Sequence, residues 1–341
     1  MATIASTGSG GNWNAGATWT GGSVPGDADE AHIDSGDTVT LTANAQCGNV
    51  VIDGGTLTGG GYKVTCVKTS GRLFDHSGTI SGVLDVELQG THTTTEDFDG
   101  TGNIRNLTLN GSGLNVSTGR ETELDGDLII TQGTLTTGNY GFTCKEANIT
   151  GTLDGSGTAN HSFENMEINN NGTYLATSGT TTITASSGGS TSGRAYWSHS
   201  GGTMRHNFGT FSVVSGAQVE PGGPADAGAG GMDAHSFWNL TSAGSLLPKS
   251  QRFVVCNDLE TNGTIGYNGN SYWMEVYGTW THKAGSTNDS DTAHSNRGYV
   301  RNMVLEGGEL DLEKMNMTFG SFRSTGNGVV KGGTDSGRYS L

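Results

Sequence analysis

The chain has 341 residues, with 59 Gly, 4 Pro, 15% charged and 32% hydrophobic residues and a formal net charge of −16. So few large apolar side chains exclude a thick globular core, and their grouping in short alternating bursts, each closed by Gly, excludes a disordered polymer. The acidic balance repels phosphate backbones and anionic bilayers, which excludes nucleic acid and membrane surfaces as partners.

The first 45 residues differ from the rest. They read "GNWNAGATWTGGSVPGDADEAHIDSGDTVTL", with Trp13 and Trp19 six apart, a V-P-G-D turn and a first alternating strand. A stack of strands exposes an apolar row and unpaired edges at its end, so residues 1–45 are expected to form a cap in which the two Trp cover that end. The N-terminus shows no basic n-region or apolar h-region, and no run is long enough to cross a bilayer. This pattern suits a protein assembled in the cytoplasm and released by lysis. The turn "GDADE" offers Asp27, Asp29 and Glu30 as hard oxygen ligands for Ca²⁺, although an acidic turn without metal is the simpler reading.

Residues 46–185 carry a recurring unit of apolar–x–apolar, a polar residue and Gly, then a further apolar residue. It reads "VVIDGGTLTGGG" from Val50, "LTLNGSGLNV" from Leu107, "LIITQGTLTTGN" from Leu128 and "ANITGTLDGSG" from Ala147. Alternate residues face one side of a strand, and Gly closes each strand at a corner. Gly111, Gly133 and Gly151 are 22 and 18 residues apart, the length of one coil of three short strands. The expected fold is all-β: a right-handed parallel β-solenoid, or β-helix, with thin apolar columns inside and Thr, Ser and Asn ladders outside. Cys47 and Cys66, 19 residues apart, are placed to stack on adjacent coils. With Cys144 and Cys256 they read as buried thiols, and a Cys47–Cys66 bridge is the alternative.

Three carboxylate pairs lie in this stretch: Asp85 with Glu87, Asp97 with Asp99, and Asp125 with Asp127. Two residues apart on a strand, the members of a pair share a face. Pairs projecting from neighbouring coils are what polysaccharide-cleaving solenoids use, and an ordinary solvated face has the same pattern.

Residues 186–235, rich in Gly, Ser and Ala and containing Pro221 and Pro224, read as a loop or junction. His199 and His206 are the closest pair of histidines, without a Cys or carboxylate at metal-ligand spacing. Residues 236–341 read as a second, aromatic-rich β lobe with Phe237, Trp238, Tyr267, Tyr272, Trp273, Tyr277 and Trp280. Core or subunit interface is the default role for such residues and a sugar platform the alternative. The later repeats "FSVVSGAQV", "LETNGTIGYNG", "MEVYGTWTH" and "MVLEGGELDL" are degraded copies of the unit. A second acidic loop, "NDSDT", holds Asn288, Asp289 and Asp291. H-E-x-x-H, P-loop and G-x-S-x-G signatures do not occur, so no catalytic, cofactor or metal site is expected and the chain is expected not to be an enzyme.

The W…W…VPG-D opening, followed by "LTLNGSG…LIITQGTL" coils, resembles Gly/Thr-rich β-solenoid proteins of bacteriophage virions and bacterial surfaces. The resemblance implies a capsid decoration, stalk or fibre located in the virion, often a homotrimer. Its partners would be other virion proteins of capsid or tail and, at its outer end, a host-surface glycan. It also leaves two alternatives, a tailspike-type polysaccharide depolymerase and a bacterial surface adhesin.

Overall fold

The structure, a computed structural model, describes residues 2–8, 10–96, 98, 102, 104–184, 194–197, 202–220, 236–247, 252–266, 273–288, 296–312, 315–331 and 339–340. The chain packs as two compact units, residues 1–157 and 158–341. Each is a parallel β-solenoid, in agreement with the fold expected from the repeats.

In the first unit the early coils build three parallel ladders. One joins Thr3–Ala5, Glu30–Ile33, Asn49–Ile52 and Phe74–His76. The second joins Gly10–Asn12, Thr38–Thr40, Thr56–Thr58 and Thr79–Ser81. The third begins with Ala45–Cys47, Tyr62–Cys66 and Leu84–Leu88 and continues through the long strands Asn106–Thr118, Leu128–Thr136 and Phe142–Ile149.

In-register stacking turns the alternation of each strand into columns. Val64, Val86, Leu107, Leu128 and Ala147 lie one above the other, all fully buried. Each buried Val or Leu contributes about 1.5–3 kcal/mol, so a column one side chain wide holds neighbouring coils together. The adjacent column runs Cys47, Cys66, Leu88, Leu109, Ile130, Ile149. The two cysteines are therefore stacked on neighbouring coils, and both thiols are free and buried. The neighbouring Cys47 thiol and complete burial push the Cys66 thiol up, away from the reactive thiolate. Cys256 is half-buried. Maleimide is expected to modify Cys256 first and to reach Cys47 and Cys66 only in denaturant. Failure of these two to label in denaturant without reductant would reveal a bridge instead.

Outward positions carry ladders such as Thr38–Thr56–Thr79. At the N-terminus Trp13 and Trp19 are both 1% exposed. Their rings meet edge to face at 5.0 Å, and Trp19 Nε1 donates to the Trp13 carbonyl at 2.6 Å. A backbone bond from Trp13 N to the Thr40 carbonyl ties the pair to the next coil.

The second unit repeats the design with larger side chains. One column reads Phe211, Leu240, Leu259, Trp280, Met303, Phe322. Phe237 stacks on Val255 and Val276. Thus Phe237 and Trp280 are core. Tyr267 and Tyr272 lie outside the described residues. The stretch 186–235, expected as a loop or junction, contributes strands to the stack. Thr203–Arg205 pairs with Thr173–Leu175, Thr210–Val213 with Thr180–Ile183, and Gln218–Glu220 with Arg194–Trp197. The ladder advances 30 residues from Thr173 to Thr203, against 18 from Thr134 to Thr152, and stays in register. Composition marked this stretch as a break because Gly and Ser lengthen a coil without changing its pairing. Pro221, Pro224 and His199 lie outside the described residues.

Candidate functional site

Parallel stacking places side chains from residues about 20 apart side by side, and this decides what each carboxylate pair meets. Asp85 receives a two-point contact from Arg105 of the next coil, with Nε to Oδ1 at 2.8 Å and Nη2 to Oδ2 at 2.6 Å. Glu87 is bonded by Lys63 from the preceding coil, by Asn110 from the following one at 3.0 Å and by Gln89 at 2.7 Å. Burial alone would raise its pKa, but the bonds from Lys63, Asn110 and Gln89 hold it below the ordinary glutamate value. A general acid needs the opposite shift. Asp127 Oδ1 accepts from the Glu146 amide at 3.3 Å, and Asp125 donates its backbone amide to the Ile104 carbonyl. Asp97 and Asp99 lie outside the described residues.

The acidic turn near residue 27 is similarly engaged. Asp29 Oδ2 accepts from Gly26 N at 3.0 Å and Asp27 Oδ1 from Gln46 Nε2 at 2.9 Å. Glu30 accepts from Asn49 at 3.0 Å and from Thr3 at 3.3 Å. In the second loop, the buried Asn288 amide brackets the backbone of Asp311, donating to its carbonyl at 2.7 Å and accepting from its amide at 2.5 Å. Asp289 and Asp291 are outside the described residues. Among the described residues no three His, Cys, Asp or Glu side chains gather into a metal-binding group.

Three places escaped the sequence reading. The first is Glu96, fully buried, whose carboxylate accepts from the amides of Leu73 (3.0 Å) and Phe74 (2.6 Å) and from Thr94 Oγ1 (2.8 Å). Burial nevertheless raises its pKa. It satisfies backbone donors where the chain enters the strand Phe74–His76, a structural duty.

The second is a groove of about 720 Å³ including its open mouth, lined by His76, Phe98, Glu121, Glu123 and Thr143 among others. Here Glu121 and Glu123 face the same opening, in the pattern sought at the other pairs.

The third lies in the second unit, where Phe208, Trp238 and His206 form a cluster with ring centroids 5.0–5.7 Å apart. Trp238 follows the buried Phe237 and points the other way, as neighbours on a strand must. No sequence signal distinguished the two.

Buried polar chemistry also occurs in this unit. Tyr174, His161 and Thr181 are buried together, with Tyr174 Oη 3.2 Å from His161 Nδ1 and 2.7 Å from Thr181 Oγ1. Burial lowers the His161 pKa to about 4 and raises that of Tyr174. An unfolded histidine titrates near 6.5, so between about pH 6.5 and 4 the unfolded chain binds more protons than the folded one. Stability of this unit is therefore expected to be full above pH 6.5 and to fall by about 3 kcal/mol as the pH drops to 4. His282, also lowered by burial, acts in the same direction. Urea unfolding of the wild type and His161→Gln across this range checks the expectation. A variant whose stability falls as steeply as the wild type's would assign the acid sensitivity elsewhere.

Comparison of the chain with protein-family models, with curated proteins and with solved structures finds no match.

Proposed function

We propose that this chain is a structural protein of a bacteriophage particle, a capsid- or tail-associated decoration or fibre without a catalytic role. The observation that carries the reading is the use made of its carboxylates. Asp85 and Glu87, the pair best placed for chemistry by sequence, are consumed in cross-coil ladders with Arg105, Lys63 and Asn110. Such ladders tie coil to coil, as a rod that must survive outside the cell requires. Assembly as a homotrimer with other virion proteins as partners belongs to the same proposal. The test is mass spectrometry of purified particles, with peptide counts normalised to the major capsid protein. A fixed, high copy number supports capsid decoration and a low fixed number supports a tail fibre. Absence from particles overturns the proposal.

One observation favours a second reading, a tailspike-type polysaccharide depolymerase: the groove that presents Glu121 and Glu123 beside His76. Two carboxylates flanking a substrate bond are what glycoside hydrolysis needs. Glycan cleavage that is abolished in Glu121→Gln or Glu123→Gln would establish it. Failure of the wild type to cleave host-surface polysaccharide would remove it.

A further inference from the structure

Among the described residues, Phe208 is the most exposed large hydrophobic side chain, at 66%. It also has φ +59, a left-handed backbone conformation shared among the described non-glycine residues only with Asn171. Asparagine tolerates this region because its short amide bonds locally, but a phenylalanine has no such help. The neighbouring Gly209 shows why the chain does not relax. A Cβ at that position would meet the Thr177 carbonyl oxygen at 2.2 Å and that of Gly179 at 2.4 Å, so the backbone is clamped against the preceding coil. A strained backbone that displays an aromatic ring to water gains little from burial. Strain of this kind persists where the surroundings enforce it and is characteristic of binding sites.

The surroundings are those of a small recognition site. Phe208 meets Trp238 edge to face at 5.0 Å and 76°, and His206 at 5.5 Å and 71°. Beside the rings runs a crevice of about 220 Å³ including its mouth, whose polar lining includes Thr177, Thr210, Asn207 and Asn239. Asn239 Oδ1 accepts from Asn257 Nδ2 at 2.8 Å, which leaves its own Nδ2 as a donor.

Three classes of ligand present flat apolar surface to such rings. A nucleobase would bring phosphates to a chain of net charge −16, which repels them. A protein partner needs about 800 Å² on each side, more than three rings and a narrow crevice provide. A sugar ring has the right size, with an apolar C–H face to lie on an aromatic ring and hydroxyls around its rim for amides and threonines. The acidic chain further selects against sialic and uronic acids.

We propose that Phe208, Trp238 and His206 form a platform for a neutral hexopyranose unit of a polysaccharide, with Asn207 and Asn239 serving its hydroxyls. The site stands independently of the virion reading, because it concerns the isolated chain.

The test is saturation-transfer NMR on the whole chain with neutral hexasaccharides of glucose, mannose, galactose and N-acetylglucosamine. At least one is expected to bind. Phe208→Gly is expected to weaken that binding at least tenfold while its melting temperature stays equal or rises, since glycine removes the strain. Tyr140→Ala, which removes an exposed ring from the other unit, is expected to bind as the wild type does. Absence of transfer to all four sugars overturns the proposal. So does unchanged binding in Phe208→Gly, or a fall in its melting temperature, which would make Phe208 a packing residue.

Discussion

Replacing Gly111 by valine is expected to cost at least about 3 kcal/mol and to open the coils around it, the largest effect of any single substitution in the first unit. A Cβ at Gly111 would lie 2.3 Å from the Gly90 carbonyl oxygen and 2.9 Å from Leu114 Cβ. Gly133 approaches the Gly111 carbonyl oxygen in the same way, at 2.9 Å, and Gly151 that of Gly133, at 2.5 Å. Gly90, Gly111, Gly133 and Gly151 thus form a column at one corner, where each coil rests its backbone on the one before. No rotamer relieves a clash between Cβ and a backbone carbonyl, so the coils must separate. Gly113 is the control. Its φ is +83, yet a Cβ there meets nothing within 4 Å. Gly113→Ala is therefore expected to cost only about 1–2 kcal/mol, from backbone strain alone. Thermal melting together with amide exchange measures both, because solenoid coils depend on their nearest neighbours and open locally. A Gly111→Val variant that melts like the wild type would show that the column does not bear the stacking.

Truncating Trp19 to alanine is expected to lower stability by about 3–5 kcal/mol. The residue loses its edge-to-face contact with Trp13, its buried surface and the bond from Nε1 to the Trp13 carbonyl. Trp19→Phe keeps a ring and leaves that carbonyl without its donor, at a cost of about 1–3 kcal/mol. Urea denaturation, with near-ultraviolet circular dichroism to report the Trp pair, separates the two variants. Loss of the cap also bares parallel edges, so concentration-dependent association of Trp19→Ala is expected. An alanine variant as stable and monodisperse as the wild type would mean that the indole pair is dispensable.

The functional proposals divide along the two units. Ion-pair ladders from Lys63 to Arg105 stiffen the first, and the exposed rings at Phe208 and Trp238 belong to the second. A fibre that both resists and recognises needs both kinds of surface. The particle test and the sugar test address them separately.

How far the sequence carries is clear at particular residues. Strand alternation and the spacing of Gly111, Gly133 and Gly151 were sufficient for the solenoid, because side-chain period and coil length are local properties written in every repeat. The same spacing placed Cys66 above Cys47, and the paired indoles announced a buried pair near the N-terminus. The stretch 186–235 was misleading, since Gly- and Ser-rich composition marks both a junction and an enlarged coil, and only strand register tells them apart. The fate of Asp85 and Glu87 was hidden because their partners Arg105, Lys63 and Asn110 lie 20, 24 and 23 residues away. Which of Phe237 and Trp238 enters the core depends on register by a single residue, and a one-residue slip would exchange them. The strain at Phe208 arises from a clamp between Gly209 and the carbonyls of Thr177 and Gly179 on the preceding coil. Local periodicity therefore determined the architecture, whereas the tertiary structure alone decided which polar and aromatic groups are spent on stacking and which remain for a ligand.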